Sequence, residues 1–361
     1  MTSTTSEATP AVASPRTGLL GADLRFLALT ALGLVVFPFA LHLIGGYAGL
    51  ATQILIVSIA TIGFNVLLGY AGMLSYGQSM FFGGGGYLAA ILLLHTMPDH
   101  PNLWLAVLGA TIVTTALAAL IGALSVRLYG IYFALLTLAF AQMVFFIVEQ
   151  ARSWTGGDDG LQSFPNALLA LGPWNVDLQT PLPAIALGPF GNLGDLKLWY
   201  VFAAVMLLAV LWFVRALTRS QFGEVLDAIR ENEERSVFVG FNAAAYRVMA
   251  VAIAGALTGF SGALKALYDG TVSVDSVGIE RSGSFVIYAV VGGIQTLFGP
   301  VIGTGIIMYL ENVLSGVVSY WQLIEGVIFV LVVVFLPNGI VGTILKRSRA
   351  RKTLLASVRV K

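Results

Sequence analysis

Ten mostly apolar stretches dominate this chain, each close to the roughly 20 residues that carry a helix through a bilayer. They run at about 24–44, 49–68, 79–95, 103–126, 129–150, 197–217, 245–267, 283–298, 300–317 and 320–341. With 361 residues in all, little chain is left for a soluble catalytic domain. The first stretch holds Pro38 and His42; it is too long for a signal-peptide core and no small-residue cleavage site follows it, so it reads as an uncleaved span. The expected fold is an all-α polytopic membrane protein of about ten transmembrane or half-spanning helices. Composition agrees: 58% apolar and 10% charged residues stand against about 45–50% and 25% in a soluble domain.

The charges are informative by position. A net charge of +1 gives no global field for nucleic acid. Short cytoplasmic loops of membrane proteins carry an excess of Lys and Arg. With the amino terminus inside, fifteen of the nineteen basic residues fall on that side, from Arg16, Arg25 and Arg127 through Arg215 to Arg247 and the Lys346–Lys361 tail. Arg152, Lys197, Lys265 and Arg281 alone lie on or near the outside. An even number of crossings with both termini cytoplasmic follows.

The chain then divides into a Ser/Thr/Pro-rich disordered tail (1–23), a transmembrane domain (24–345) and a basic cytoplasmic tail (346–361). Two polar excursions interrupt the domain. The first, 151–196, is extracytoplasmic, rich in Pro and Gly, and expected to form loops with at most short helices. The second, 218–244, is cytoplasmic and helical in character: Val225, Leu226 and Ile229 share one face, and Asp227, Arg230, Glu231, Glu233 and Glu234 supply the others.

Two spans are interrupted. Gly83 to Gly86 follow Tyr70–Gln78, and late in the chain Gly292 and Gly293 precede Gly299-Pro300. Glycine costs about 1 kcal/mol per residue in a helix interior, and paired interruptions in two halves point to a transporter's midplane site. If 49–150 and 245–341 are two copies, their five-crossing offset places the second upside down, an inverted repeat with Gly-interrupted segments. Close helix packing is the competing use of such glycines.

Absences narrow the chemistry. No lysine follows a glycine, so there is no P-loop to cradle ATP. His42, His95 and His100 have no metal-ligand spacing, no GxSxG elbow is present, and the chain has no cysteine. No catalytic residue, metal or cofactor is expected on it. Lys265, Glu311 and Glu325 fall at similar depth in three spans and form an expected intramembrane charge cluster, with Asn312 and Gln322 as hydrogen-bonding neighbours. As a proton relay it would make the chain an ion-coupled secondary transporter; as a buried ion network it would lock helix packing. The 218–244 helix, with its Leu226/Ile229 ridge flanked by Arg230, Glu233 and Glu234, suits a helix-in-groove contact with a nucleotide-driven partner.

Five blocks carry a family resemblance: Gly69–Leu93, Arg127–Met143, Thr155–Leu161, Ser220–Leu264 and Val290–Gly303. In this order they resemble the branched-chain amino-acid ABC importer permeases of the LivM type, over about residues 47–341. Two positions depart from the family's usual pattern, Asp227 at the head of the Ala-Ile-Arg-Glu-Asn block and Tyr76 within Ser75-Tyr76-Gly77-Gln78; they bear on the substrate rather than the fold. The resemblance implies a multi-pass protein of a bacterial or archaeal cytoplasmic membrane, paired with a LivH-like permease, two cytoplasmic ATPases that hold ATP and Mg, and an extracytoplasmic substrate-binding protein. It implies ATPase coupling through Ala228, Ile229, Arg230, Glu231, Asn232, Glu233, Glu234, Arg235 and Gly240, and a translocation path shaped by Ser75, Gln78, Phe81, Phe82, Tyr87 and Gln295. Gly156, Gly157, Asp158 and Asp159 would form the docking loop for the binding protein. Branched-chain or related small amino acids are the expected cargo; urea, short amides or aromatic acids are the alternatives within the superfamily.

Overall fold

The computed structural model describes residues 17–96, 101–162, 164–165, 167–171, 174–183, 196–318, 320–344 and 346. Most of the amino-terminal tail, His100, residues 184–195 of the first excursion and the tail beyond 346 lie outside the described residues.

The apolar runs become helices α1 (Thr17–Leu43), α2 (Ala48–Asn65), α3 (Gln78–Ile91), α4 (Leu103–Ser125) and α5 (Ile131–Gln150). After a short α6 (Arg152–Thr155) come α7 (Leu198–Thr218), α8 (Gln221–Glu231), α9 (Glu233–Phe238), α10 (Ala243–Asp269), α11 (Ile279–Gly292), α12 (Gly299–Ser315) and α13 (Trp321–Phe335). The first helix opens at Thr17, seven residues before the start expected at Leu24. Single π-turns extend α2 to Tyr70 and α3 to Thr96. Eight described helices are long and apolar enough to cross a membrane. The two shorter ones, α11 of 14 residues and α12 of 17, correspond to the expected spans at 283–298 and 300–317.

Burial sorts the helices. An all-round apolar helix belongs in a core, and α2 is one: from Leu50 to Asn65 it is buried almost without break. Against it pack α7, α10, α11 and α12, tied by polar groups that would be costly unpaired in an apolar interior. Ser261 Oγ of α10 donates to the Ile56 carbonyl at 2.6 Å, and Thr304 Oγ1 of α12 donates to Thr61 Oγ1 at 2.9 Å. By contrast α4, α5 and α13 turn bare apolar faces outward, with Ile112, Leu120, Phe146, Val330 and Val334 exposed.

One end of the bundle gathers both ends of the described chain, the α4–α5 turn and α8–α9; Arg215, in the last turn of α7, stacks on Phe26 at 3.9 Å. The opposite end is closed by the 151–183 segment. It is not loop and helix alone, as expected. Strand β1 (Leu161–Gln162) pairs antiparallel with β4 (Thr271–Val272), and β2 (Leu168–Leu171) with β3 (Trp174–Asp177). The pairing satisfies backbone groups that a loop packed on helices would leave orphaned.

The two interrupted halves are inverted copies in their packing. In the first, α2 is followed by an extended segment and then α3, which packs on α4 and α10. In the second, α10 is followed by β4 and a 3₁₀ turn, Val274–Ser276, and then α11, which packs on α12 and α2. Both α3 and α11 start after a glycine, Gly77 and Gly278, and both carry a buried tyrosine ten residues on, Tyr87 and Tyr288.

Candidate functional site: a central polar node and its link to the α8–α9 end

The amino termini of α3 and α11 meet in the middle of the bundle. The Ser79 amide, one of the orphan donors of a helix start, donates to Ser282 Oγ at 2.9 Å. Beside it Thr258 Oγ1 of α10 donates to Gln78 Oε1 at 2.9 Å. Gln78, Ser79, Thr258 and Ser282 are fully buried, and Gln78 Nε2 and Ser79 Oγ have no protein partner. Three helices thus share one node in which two polar atoms are uncommitted.

Glycines set the surroundings of this node. The α3 backbone lies so close to α10 that a Cβ at Gly262 would sit 1.8 Å from the Phe82 carbonyl oxygen, and one at Gly85 would sit 2.2 Å from that of Gly259. Gly83, Gly85 and Gly86 of the four-glycine run are therefore packing positions, whereas Gly84 faces open space. Phe81 packs at 3.5 Å from the Cβ position of Gly255 and belongs to the core. Ser75 caps its own loop, its Oγ accepting from the Gly77 amide at 3.2 Å. Phe82 stacks edge-on with Phe285, ring centroids 5.4 Å apart, and the buried Tyr87 hydroxyl has no protein partner.

Gln295 does not join these residues. It stands in the sharp connection between α11 and α12 with φ +65°, the one described non-glycine residue in the left-handed region, and faces α8. There Arg230 Nη1 donates to the Gly69 carbonyl at 2.8 Å, at the carboxyl end of α2. With the Gln295 amide oxygen turned toward it, the same guanidinium also donates to Gln295. Asn65 completes the bridge: its Nδ2 donates to the Thr296 carbonyl at 3.1 Å, and its Oδ1 accepts from the Gln295 amide at 3.3 Å. The stem of Arg230 fills the space that a side chain at Gly72 would need, 2.8 Å from its Cβ position. One arginine on α8 therefore holds the end of α2 and the α11–α12 connection together. Polar Asn65 at the end of an apolar run was the sequence signal for this bridge.

The polar excursion at this end differs from the single helix read from its charges. Asn232, with φ −159° and ψ 102°, breaks it in two and caps α9, its Oδ1 accepting from the Arg235 amide at 2.9 Å. Val225, Leu226 and Ile229 are buried within this chain, so the ridge expected to enter a partner's groove anchors α8 on its own bundle instead. Glu233 is also engaged internally, paired with Arg247 and accepting from Tyr129 OH at 3.2 Å. What faces outward is Glu231, Glu234, Arg235 and the apolar tip Val237, Phe238 and Val239, Phe238 being 89% exposed. Gly240, φ +102°, turns the chain toward α10. Partial burial raises the Asp227 carboxyl above its ordinary range, against the pull of neighbouring Arg230.

At the opposite end Lys265 does not join the expected charge cluster, whereas Glu311 and Glu325 lie within electrostatic reach of each other. Lys265 pairs with Asp269 one turn along α10, the spacing that puts two side chains on one helix face. Glu311 accepts from Tyr288 OH at 2.8 Å, and Glu325 Oε1 is buried without a protein partner. Gly156 and Gly157, both at positive φ, turn the chain so that Asp158 and Asp159 are exposed and β1 reaches β4. Among the described residues no group of three His, Cys, Asp or Glu could hold a metal ion.

Comparison with known proteins fits this architecture. The model of the family described as branched-chain amino acid transport system / permease component matches residues 46–334. The high-affinity branched-chain amino acid transport system permease proteins LivM of Salmonella typhimurium and Escherichia coli are each 25% identical over 317 residues, 85% of this chain and 72% of theirs. The galactose/methyl galactoside import permease MglC of Salmonella typhimurium is 27% identical over 188 residues, 50% of this chain and 49% of its own. No solved structure matches. Matched from the start of α2 through α13, the chain belongs to the branched-chain amino acid transport system permease family.

Proposed function

We propose that this chain is one permease subunit of an ATP-driven importer for branched-chain or related small amino acids, forming half of the translocation path beside a second permease. The α8–α9 end and both chain ends lie in the cytoplasm, where two ATPase subunits dock, and the β-paired end receives cargo from a binding protein at the loop around Gly156–Asp159.

The observation that carries this reading is the Arg230 bridge. A partner that moves α8–α9 pulls at once on the end of α2 and on the α11–α12 connection, and those elements lead into the helices that meet at Gln78, Ser79 and Ser282. Chemical work done on another chain thereby reaches the centre of this one without a nucleotide site here. The ion-coupled alternative loses the lysine of its motivating cluster, since Lys265 is committed to Asp269 rather than to the glutamates.

Docking is placed on the α9 tip, because an exposed aromatic flanked by valines is the kind of anchor that dominates an interface. Purification of the tagged chain from its native membrane is expected to bring down a second permease and two ATPase subunits. Phe238→Ala is expected to weaken ATPase retention by about 30-fold or more, the hot-spot range, with the two permeases still together. Uptake by the purified chain alone on an ion gradient would overturn the reading.

A further inference from the structure

At the β-paired end, away from the Arg230 bridge, a cavity of about 320 Å³ opens between α3, α10 and the amino-terminal turn of α11. This lies within the roughly 300–1,000 Å³ of small-molecule sites. Its walls divide by chemistry. Phe82, Ala266 and Val272 make an apolar side, while Asp159, Lys265, Asp269 and Arg281 bring two negative and two positive charges to the same space.

Two of these charges are spoken for, Lys265 by Asp269. The other two are not. The Asp159 carboxylate and the Arg281 guanidinium have no direct hydrogen-bond or ion-pair partner among the described residues; Asp159 uses only its backbone carbonyl, toward Gln162, and Arg281 lies over the Phe82 ring at 6.0 Å, with the Glu311 carboxylate acting on it only at longer range. The fold holds both in place. The β1–β4 pairing fixes the Asp159 loop against Val272, and Gly160 allows that approach, since a Cβ there would sit 2.1 Å from the Val272 carbonyl oxygen. Arg281 stands one residue before Ser282, which is anchored to the start of α3.

A cation and an anion without direct partners and an apolar wall in one cavity match a zwitterion with a short apolar side chain. Guanidinium takes a carboxylate in a two-pronged fit, and a carboxylate takes an ammonium. A ligand with one charge would leave the opposite group unpaired and forgo half of the attraction, which discriminates against it. We propose that this cavity is a zwitterion subsite built into the permease chain itself, at which a free α-amino acid docks its carboxylate on Arg281 and its ammonium on Asp159, with its side chain against Phe82 and Val272. That amino acids are delivered at this end rests on the importer reading; the complementarity of the cavity does not.

The chain has no cysteine, so Ser273→Cys places a single thiol on the cavity wall. The test uses the assembled complex in lipid nanodiscs and follows alkylation of this chain by a small neutral maleimide. L-leucine is expected to slow labelling about tenfold at ten times its Kd, by simple occupancy. At equal concentration 3-methylbutylamine and 4-methylpentanoate, each with one charge, are expected to leave the rate unchanged. Arg281→Gln should abolish the protection and Arg281→Lys should restore part of it, with unliganded labelling unchanged as the check on folding. Absence of protection by leucine, or equal protection by the one-charge analogues, overturns the proposal. Substrate-stimulated ATP hydrolysis by the same nanodiscs reports on the importer reading separately, so either can fail alone.

Discussion

The two inverted halves share one plan, a buried helix, a non-α-helical break, then a helix that starts at the centre, yet their closest backbone contacts fall in different places. In the first, α3 is pressed backbone to backbone on α10, and Gly85 and Gly262 leave no room for even a methyl group. In the second, a Cβ at Gly283 of α11 would touch nothing within 4 Å, and the backbone-to-backbone contact lies against α12 instead, where a Cβ at Gly303 would sit 2.0 Å from the Tyr288 carbonyl oxygen. A further tight spot lies at the connection to α12, where Gly293, φ +120°, approaches Gly339 and the strained Gln295 reaches Arg230. Close-packed backbones transmit force rigidly, whereas a connection held by a few polar bonds can switch between arrangements. The importer reading makes the α3–α10 contact the anchor and the α11–α12 connection, which Arg230 reaches, the element on which α8 acts.

The largest effect should come from filling the anchor. Gly262→Ala places its methyl against the Phe82 carbonyl and should cost at least the 1–3 kcal/mol of core overpacking, seen as a large fall in Tm or loss of a monodisperse peak in detergent. Gly283→Ala should be neutral or stabilising by up to about 1 kcal/mol, since alanine is the better helix former. Equal tolerance at the two positions would erase the distinction between the halves.

Arg230→Gln tests the other half. Hydrogen bonds to a charged group contribute about 1.5–3 kcal/mol, so loss of the bridge should lower substrate transported per ATP hydrolysed about tenfold or more, while the complex stays assembled. Arg230→Lys keeps the charge but not the fork that spans Gly69 and Gln295, and should recover only part of the coupling. A normal transport-to-hydrolysis ratio in Arg230→Gln would remove the bridge from the mechanism.

The smallest effect concerns Asp227. Its folded pKa lies above the ordinary 3.8, chiefly through desolvation. A group whose folded pKa is raised favours the protonated folded state, so this residue's contribution to stability is full below pH 3.8 and fades as pH rises through the folded value. Asp227→Asn should remove that slope, flattening Tm against pH in the acid range by less than either change above. An unchanged slope would show that Asp227 is solvated like any surface carboxylate.

Much of this was legible in one dimension. Apolar runs of membrane length, the sided distribution of basic residues and the doubled glycine interruptions depend on composition and spacing alone, and they were enough for an all-α polytopic fold. The family blocks likewise pointed to the family that the comparisons establish. Partner choice was not legible. Leu226 and Ile229 form an apolar ridge whether they bury against this chain or another, and only the packing shows that they anchor α8 while Phe238 is left bare. Lys265 sits at a depth where either glutamate is plausible, but an i,i+4 carboxylate on its own helix costs less ordering than a partner on another helix.

Hydropathy and charge by themselves thus determined the environment of each segment, because transfer into a bilayer is a sum over residues. Tertiary structure alone decided which groups meet: Arg230 with Gly69 and Gln295, Ser79 with Ser282, Asp159 and Arg281 around one cavity. The physical reason is that hydrogen bonds and ion pairs act over a few ångströms, and residues more than 160 positions apart come within that range only when the helices that carry them are packed.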